Sequence, residues 1–134
     1  MNKLKGIIHS LESSPCMSIV EVTVKGDIFS TIVLETPQSN PSLKAGNPVT
    51  LLFKEPEVSL AKNLSGMISL RNRFPSTRKS IQREKILTHV VLDYRGGEIT
   101  SIISSRSAQR LNLQVGDTIE WLVKTNEVTL LFEK

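Results

Sequence analysis

Leu43-Lys44-Ala45-Gly46-Asn47-Pro48-Val49 returns seventy residues later as Leu113-Gln114-Val115-Gly116-Asp117-Thr118-Ile119. Both stretches read as an apolar anchor, a turn glycine and the first β-branched residue of a strand. Working outward, Phe53-Lys54-x-x-Glu57-Val58-x-Leu60 returns as Val123-Lys124-x-x-Glu127-Val128-x-Leu130 at the same spacing. Toward the N-terminus, Leu4-Lys5-Gly6-Ile7-Ile8 finds an echo in Leu64-Ser65-Gly66-Met67-Ile68, sixty residues on. The two spacings imply a net ten-residue insertion in the second copy, and the Arg/Lys-rich stretch Arg71–Lys85 is the place for it. An internal repeat sets module size before any fold is argued. The expected division is residues 1–61 and 62–134, the second module carrying a basic insertion at about 71–85.

Modules this small bury a limited core and are marginal alone, so packing on each other or oligomerisation is expected. Aromatic residues make up only 4% of the chain, which argues against stacking platforms for single-stranded nucleic acid. The net charge is +4, yet Arg71–Lys85 alone holds six basic residues against one acid, leaving eleven basic and twelve acidic residues elsewhere. The basicity therefore belongs to one segment, expected to be an exposed loop that projects from the fold. The single cysteine, Cys16, excludes an intrachain disulfide and fits a reducing cytoplasm. No apolar run of about 18 residues exists, so no membrane span is expected. The first residues enter a strand without an apolar signal core.

Two-residue periodicity with β-branched enrichment dominates. In the first module it predicts strands at Ile7–Leu11, Ile19–Val24, Ile28–Leu34, Val49–Lys54 and Glu57–Leu60. Val20, Val22 and Val24 share one face, and Lys25-Gly26-Asp27 makes a tight hairpin turn. The second module predicts strands at Met67–Leu70, Ile86–Tyr94, Ile99–Ile103, Thr118–Lys124 and Val128–Phe132, with a matching turn at Arg95-Gly96-Gly97-Glu98. Ser107-Ala108-Gln109-Arg110-Leu111 has helix propensity, with Ser104 or Ser105 as cap. Its counterpart near Thr36 and Ser39 is interrupted by prolines. Five short strands with one short helix between the third and fourth suggest an all-β chain of two tandem small barrels of the oligonucleotide/oligosaccharide-binding type.

Enzymatic constellations are absent. His9 and His89 are not equivalent in the repeat, and Cys16 lies in a loop. No Cys/His spacing suits a metal, and no glycine-rich phosphate loop opens a helix. Glu57 and Glu127 read as turn residues. Lys54 and Lys124 both end the fourth strand of their module. A lysine there reads first as a solvated edge charge. Beside the Ser104 and Ser107 hydroxyls and the amides they flank, it reads as the balancing cation of an oxoanion site.

These marks resemble the Mop module of the TOBE superfamily, whose members bind molybdate or tungstate. That module opens with Ser-Ala-Arg-Asn-x-Leu-x-Gly. Asn2-Lys3-Leu4-Lys5-Gly6 matches its second half. In the second module Ser59-Leu60-Ala61-Lys62-Asn63-Leu64-Ser65-Gly66 matches at Ser59, and a one-residue shift sets Lys62-Asn63 on Arg-Asn. The family's Thr-x-x-Ser followed by Leu-x-Leu-x-x-Gly resembles Ser104-Ser105-Arg106-Ser107 and Leu111-Asn112-Leu113-Gln114-Val115-Gly116. Thr36-Pro37-Gln38-Ser39 fits if the following segment is two residues shorter. The family's strand-ending Lys plus small residue is matched by Lys124-Thr125, and by Lys54 in the lysine alone.

The resemblance implies a cytoplasmic molybdate- or tungstate-binding protein for metal homeostasis or storage, without enzymatic activity or redox cofactor. The implied oxoanion donors are Ser104, Ser107, Lys124 and Thr125, with Ser59 and Lys62 from another module or subunit. Lys54, Thr36 and Ser39 are the first-module counterparts. The metal is held only as its oxoanion. A homo-oligomer, trimer or dimer, is expected. The second reading is an effector or interaction module of a molybdate-responsive transcription regulator that contacts protein partners or, less favoured, nucleic acid.

Overall fold

The computed structural model describes residues 1–133. The chain is all-β apart from one short helix. Its strands are β1 (Asn2–Ser13), β2 (Ser18–Val24), β3 (Asp27–Val33), β4 (Pro48–Phe53), β5 (Ser59–Ala61), β6 (Asn72–Arg83), β7 (Leu87–Tyr94), β8 (Gly97–Ser104), β9 (Thr118–Val123) and β10 (Thr129–Phe132). Helix α1 is Ser105–Leu111, and single 3-10 turns cover Glu55–Glu57 and Thr125–Glu127. Among the described residues no helix is long and apolar enough to cross a membrane.

Ten strands form two five-stranded antiparallel sheets, ordered β10-β4-β1-β2-β3 and β5-β9-β6-β7-β8. The order corrects the expected division at 61/62. The last strand of each repeat joins the other repeat's sheet, giving compact units of Met1–Phe53 with the segment from Lys124 onward, and Lys54–Val123. The registers are equivalent: Thr129 opposes Leu52 as Ser59 opposes Leu122. Because the two copies offer the same edge to the same short strand, the sequence pattern does not say which copy that strand will pair with.

The expected basic insertion is also corrected. Arg71–Lys85 is no projecting loop; most of it is β6, the counterpart of β1 at the constant spacing of seventy. Asn72, Phe74 and Ser76 point inward as Asn2 and Leu4 do. Even the bulge repeats, between Ile8 and Ser10 and between Arg78 and Ser80. The expected strand Met67–Leu70 is instead part of an irregular, largely exposed connection over residues 62–71, with Met67 fully exposed. The Leu64–Ile68 echo was accidental.

Much of β6's charge is paired at home. The Arg73 guanidinium forks onto Glu120 at 2.6 and 3.0 Å and also donates to the Leu64 carbonyl at 3.0 Å. Lys79 pairs with Glu98 at 2.6 Å, and Arg78 donates to the Leu113 carbonyl at 3.1 Å.

Both hairpin turns behave as read. Lys25-Gly26 and Arg95-Gly96 hold two successive positive φ angles, the two-residue geometry that matches strand twist. The first unit's core is mainly aliphatic, with Val20, Val22, Val49 and Leu51 buried around Phe29. The second packs Phe74, Tyr94 and Trp121 together, with ring centroids 5.1–6.0 Å apart. Backbone spacing differs accordingly. A side chain at Gly6 would collide with Val22, Val24 and the Thr23 carbonyl, whereas Ser76, its counterpart, fits and donates to the Ile119 carbonyl at 2.7 Å.

Phe74 decides whether β6 is core. Phe74→Ala is expected to destabilise the protein by about 3–5 kcal/mol in urea unfolding, as for other buried aromatic truncations. A loss below about 0.5 kcal/mol, the range of exposed positions, would contradict the strand.

Candidate functional site

Strand β8 runs directly into α1, and the junction is built from hydroxyls. Ser104 caps the helix: its Oγ accepts from the Ser107 amide at 3.1 Å and donates to the Ser107 Oγ at 3.0 Å. Ser105 points the other way. Its Oγ donates to the Glu84 carbonyl at 2.6 Å, meets the buried Thr88 hydroxyl at 2.8 Å, and its amide donates to the Ile86 carbonyl. The sequence reading left Ser104 and Ser105 as alternative caps. Ser104 caps, while Ser105 fixes the junction onto the β6–β7 hairpin.

Ser104 and Ser107 line an open cleft of about 360 Å³. Ser59, at the start of β5, and Arg110, one helical turn beyond Ser107, line the same cleft together with apolar residues that include Val58 and Ile102. Three expected residues are thus brought together by elements 45 positions apart in the chain. Arg110 is a fourth polar group that the sequence reading passed over; its i, i+3 spacing from Ser107 was the available signal.

Lys62 does not line that cleft. Its ammonium bonds Asp117 at 2.8 Å and the Asn112 carbonyl at 2.7 Å, just past the C-terminal end of α1. Asn112 holds the left-handed conformation, and its amide closes the helix onto Ala108 and Gln109. Lys62 therefore anchors the 62–71 connection to the helix end. Its bond to Asp117, followed by the Gln114 amide, holds the Asp117 carboxyl below its usual range.

Lys124 is exposed and directly follows β9, with Thr125 opening the next 3-10 turn. Lys54 holds the same place after β4, where its amide donates to Glu57 at 3.3 Å. Thr36 and Ser39 satisfy each other: each amide donates to the other's hydroxyl, at 2.9 and 3.4 Å. At the constant spacing of seventy, Ser104 and Ser107 are answered by Leu34 and Pro37. A leucine has no hydroxyl and a proline has no amide hydrogen, so the first unit cannot reproduce this junction. Among the described residues no group of three or more His, Cys, Asp or Glu could hold a metal ion.

The TOBE domain model matches residues 68–130. A solved structure of the cytoplasmic molybdate-binding protein ModG, with molybdate bound, is similar with a TM-score of 0.91 and 30% identity, over 98% of this chain and 96% of that one. The chain belongs to the Mop/TOBE family. It is also similar to the molybdenum import ATP-binding protein ModC of Brucella abortus (strain 2308), 32% identical over 126 residues, which is 93% of this chain and 33% of that protein. The molybdenum transport protein ModE of Herbaspirillum seropedicae is 27% identical over 137 residues, 99% of this chain and 51% of that one. The chain spans about a third and about half of the length of these curated relatives.

The strand register also moves the Mop/TOBE opening. With β6 as the counterpart of β1, Ser-Ala-Arg-Asn-x-Leu-x-Gly falls on Ser69-Leu70-Arg71-Asn72-Arg73-Phe74-Pro75-Ser76. Serine, arginine and asparagine all agree, with Phe74 and Ser76 on the leucine and glycine, whereas the register at Ser59 matches the serine, leucine and glycine but neither the arginine nor the asparagine. Asn72 is buried at the head of β6, as Asn2 is at the head of β1. Ser69 and Arg71 were missed in the sequence reading because the false echo at Leu64 fixed the wrong spacing.

The Lys62–Asp117 tie has a pH signature. The folded carboxyl keeps its charge to lower pH than an unfolded one, near 3.9. The tie therefore stabilises the fold above that value and is lost as pH falls through the lowered one. A carbon-detected NMR titration should place the Asp117 midpoint below about 3.9, and Lys62→Met should raise it. An unchanged midpoint in that variant would contradict the assigned cause.

Proposed function

We propose that this protein binds molybdate in the cytoplasm as an oxoanion carrier or store, holding the metal without making or breaking bonds to carbon or phosphorus. The observation that supports this most is the whole-chain likeness to ModG, a molybdate-binding protein. On this reading each curled sheet is an OB-like five-stranded barrel. The donors are the Ser107 hydroxyl and, once its proton turns from the Ser107 Oγ to the anion, the Ser104 hydroxyl, with Lys124 and Thr125 added by the family pattern. Ser69 and Arg71 of a second subunit take the place first given to Ser59 and Lys62. The assembly is a closed homo-oligomer, a trimer ahead of a dimer. Tungstate, nearly the same size as molybdate, binds alike. Sulfate is smaller, so donors set for the longer metal–oxygen bonds reach it poorly.

The likeness to ModE and ModC favours a second reading, in which this pair of modules senses the anion inside a regulator or transporter. On β6, Arg73 and Lys79 are each paired with a carboxylate, which weakens direct polyanion contact through that strand. A salt-sensitive mobility shift with duplex DNA would favour the regulator.

Isothermal titration with molybdate, tungstate and sulfate tests the main reading. Molybdate and tungstate should bind and sulfate should not; silence with all three would sink it. Lys124→Ala should weaken molybdate binding by about tenfold to a hundredfold, the loss of one charge-assisted hydrogen bond. Lys54→Ala should weaken it less on the family pattern; because the exchange of last strands puts Lys54 in the unit that holds the serines, a larger loss there than in Lys124→Ala would give Lys54 the cation's place. Equal effects would mean that the two units bind alike.

A further inference from the structure

We infer that Arg110 is the second cation of the oxoanion cleft and makes it selective for dianions, an assignment that rests on the molybdate reading above. Helix α1 has seven residues, so its peptide dipoles sum to little, and the hydroxyls of Ser104 and Ser107 carry no net charge. A dianion drawn out of water into a cleft needs cationic side chains, and one lysine balances half of its charge.

Arg110 lines the same cleft as Ser59, Ser104 and Ser107. It stands at i+3 from Ser107, on the same face of α1. The Ser107 Oγ accepts from Ser104, which leaves its own proton to be donated to a guest. A guanidinium beside it offers a planar fork suited to two oxygens of one anion.

The internal repeat supplies the control. Seventy residues earlier, Ser104, Ser107 and Arg110 are answered by Leu34, Pro37 and Asn40. Asn40 does not offer a cation; its amide donates to the Glu35 carboxylate at 2.8 Å. The two serines and the arginine are present together in one unit and absent together in the other. The competing role, a last-turn cation stabilising the helix end, predicts an effect on stability and none on anion choice.

The test titrates the full-length protein and its Arg110→Gln and Arg110→Lys variants with molybdate and with perrhenate, a tetrahedral monoanion of similar size. Titrations are run at low and high chloride, and melting temperatures are recorded. Arg110→Gln should weaken molybdate binding by about tenfold or more, weaken perrhenate less, and flatten the chloride dependence, with the melting temperature little changed. Arg110→Lys should keep the preference for the dianion but recover only part of the molybdate affinity, because the charge returns without the fork. If the unmodified protein binds molybdate and Arg110→Gln binds it equally well, Arg110 is not part of the cleft's charge. A fall in melting temperature with unaltered preference between the two anions would assign it to the helix end instead. If the unmodified protein takes up no molybdate, the functional reading fails and this inference falls with it.

Discussion

Two buried hydroxyls close the two sheets, and the rest of the structure depends on them. Ser101 on β8 donates to the Val58 carbonyl at 2.6 Å, and Thr31 on β3 donates to the Val128 carbonyl at 2.7 Å. Each bond ties one edge strand of a five-stranded sheet to the segment that leads into the opposite edge strand. The sheet curls because its ends are joined. A carbonyl buried there without a donor would destabilise the fold by about 1–3 kcal/mol, so the hydroxyl is required once the strand has entered. In the second unit this closure sets Val58 and Ser59 beside the end of β8, where the cleft forms.

At the junction of β8 and α1 the two repeats diverge in kind, as they also do where buried Ile8 is answered by Arg78. In the core they exchange residues of like character, Leu4 for Phe74 or Leu51 for Trp121, and the packing adjusts through Gly6 and Ser76. At the junction a leucine and a proline stand against two serines. The second unit thus gains a capped helix, two hydroxyls on a shared cleft and an arginine one turn on. The first keeps a turn whose Thr36 and Ser39 are satisfied by each other. One unit keeps the fold with little polar equipment at this place; the other keeps both.

Most strands were legible because their periodicity is strong: β2 and β7 alternate buried valine and leucine with half-exposed polar residues. The hairpin turns and the helix were legible from glycine placement and a serine cap. β6 was not, because its inward positions are Asn72, Phe74 and Ser76, two of them polar, while its outward positions carry Arg73 and Pro75. Polarity on both faces erased the two-residue signal, and a chance Leu-x-Gly at Leu64 supplied a false register. The exchange of last strands was illegible for a different reason. Identical edges leave the partner of β5 and β10 undetermined by pattern. Of the expected residues, Ser59, Ser104 and Ser107 line one cleft. Lys62 was misjudged because its partners, Asp117 and Asn112, are distant in sequence, and only tertiary structure shows the lysine already occupied.

The claim that carries the account is that a molybdenum oxoanion sits at the Ser104–Ser107 junction of the second repeat. The most direct measurement is an anomalous difference map at the molybdenum K edge from crystals grown with molybdate. The account predicts a peak within hydrogen-bonding reach of the Ser104 and Ser107 hydroxyls, and none at the Leu34–Pro37 counterpart. Peaks of equal height at both places, or a peak distant from both serines, would contradict it.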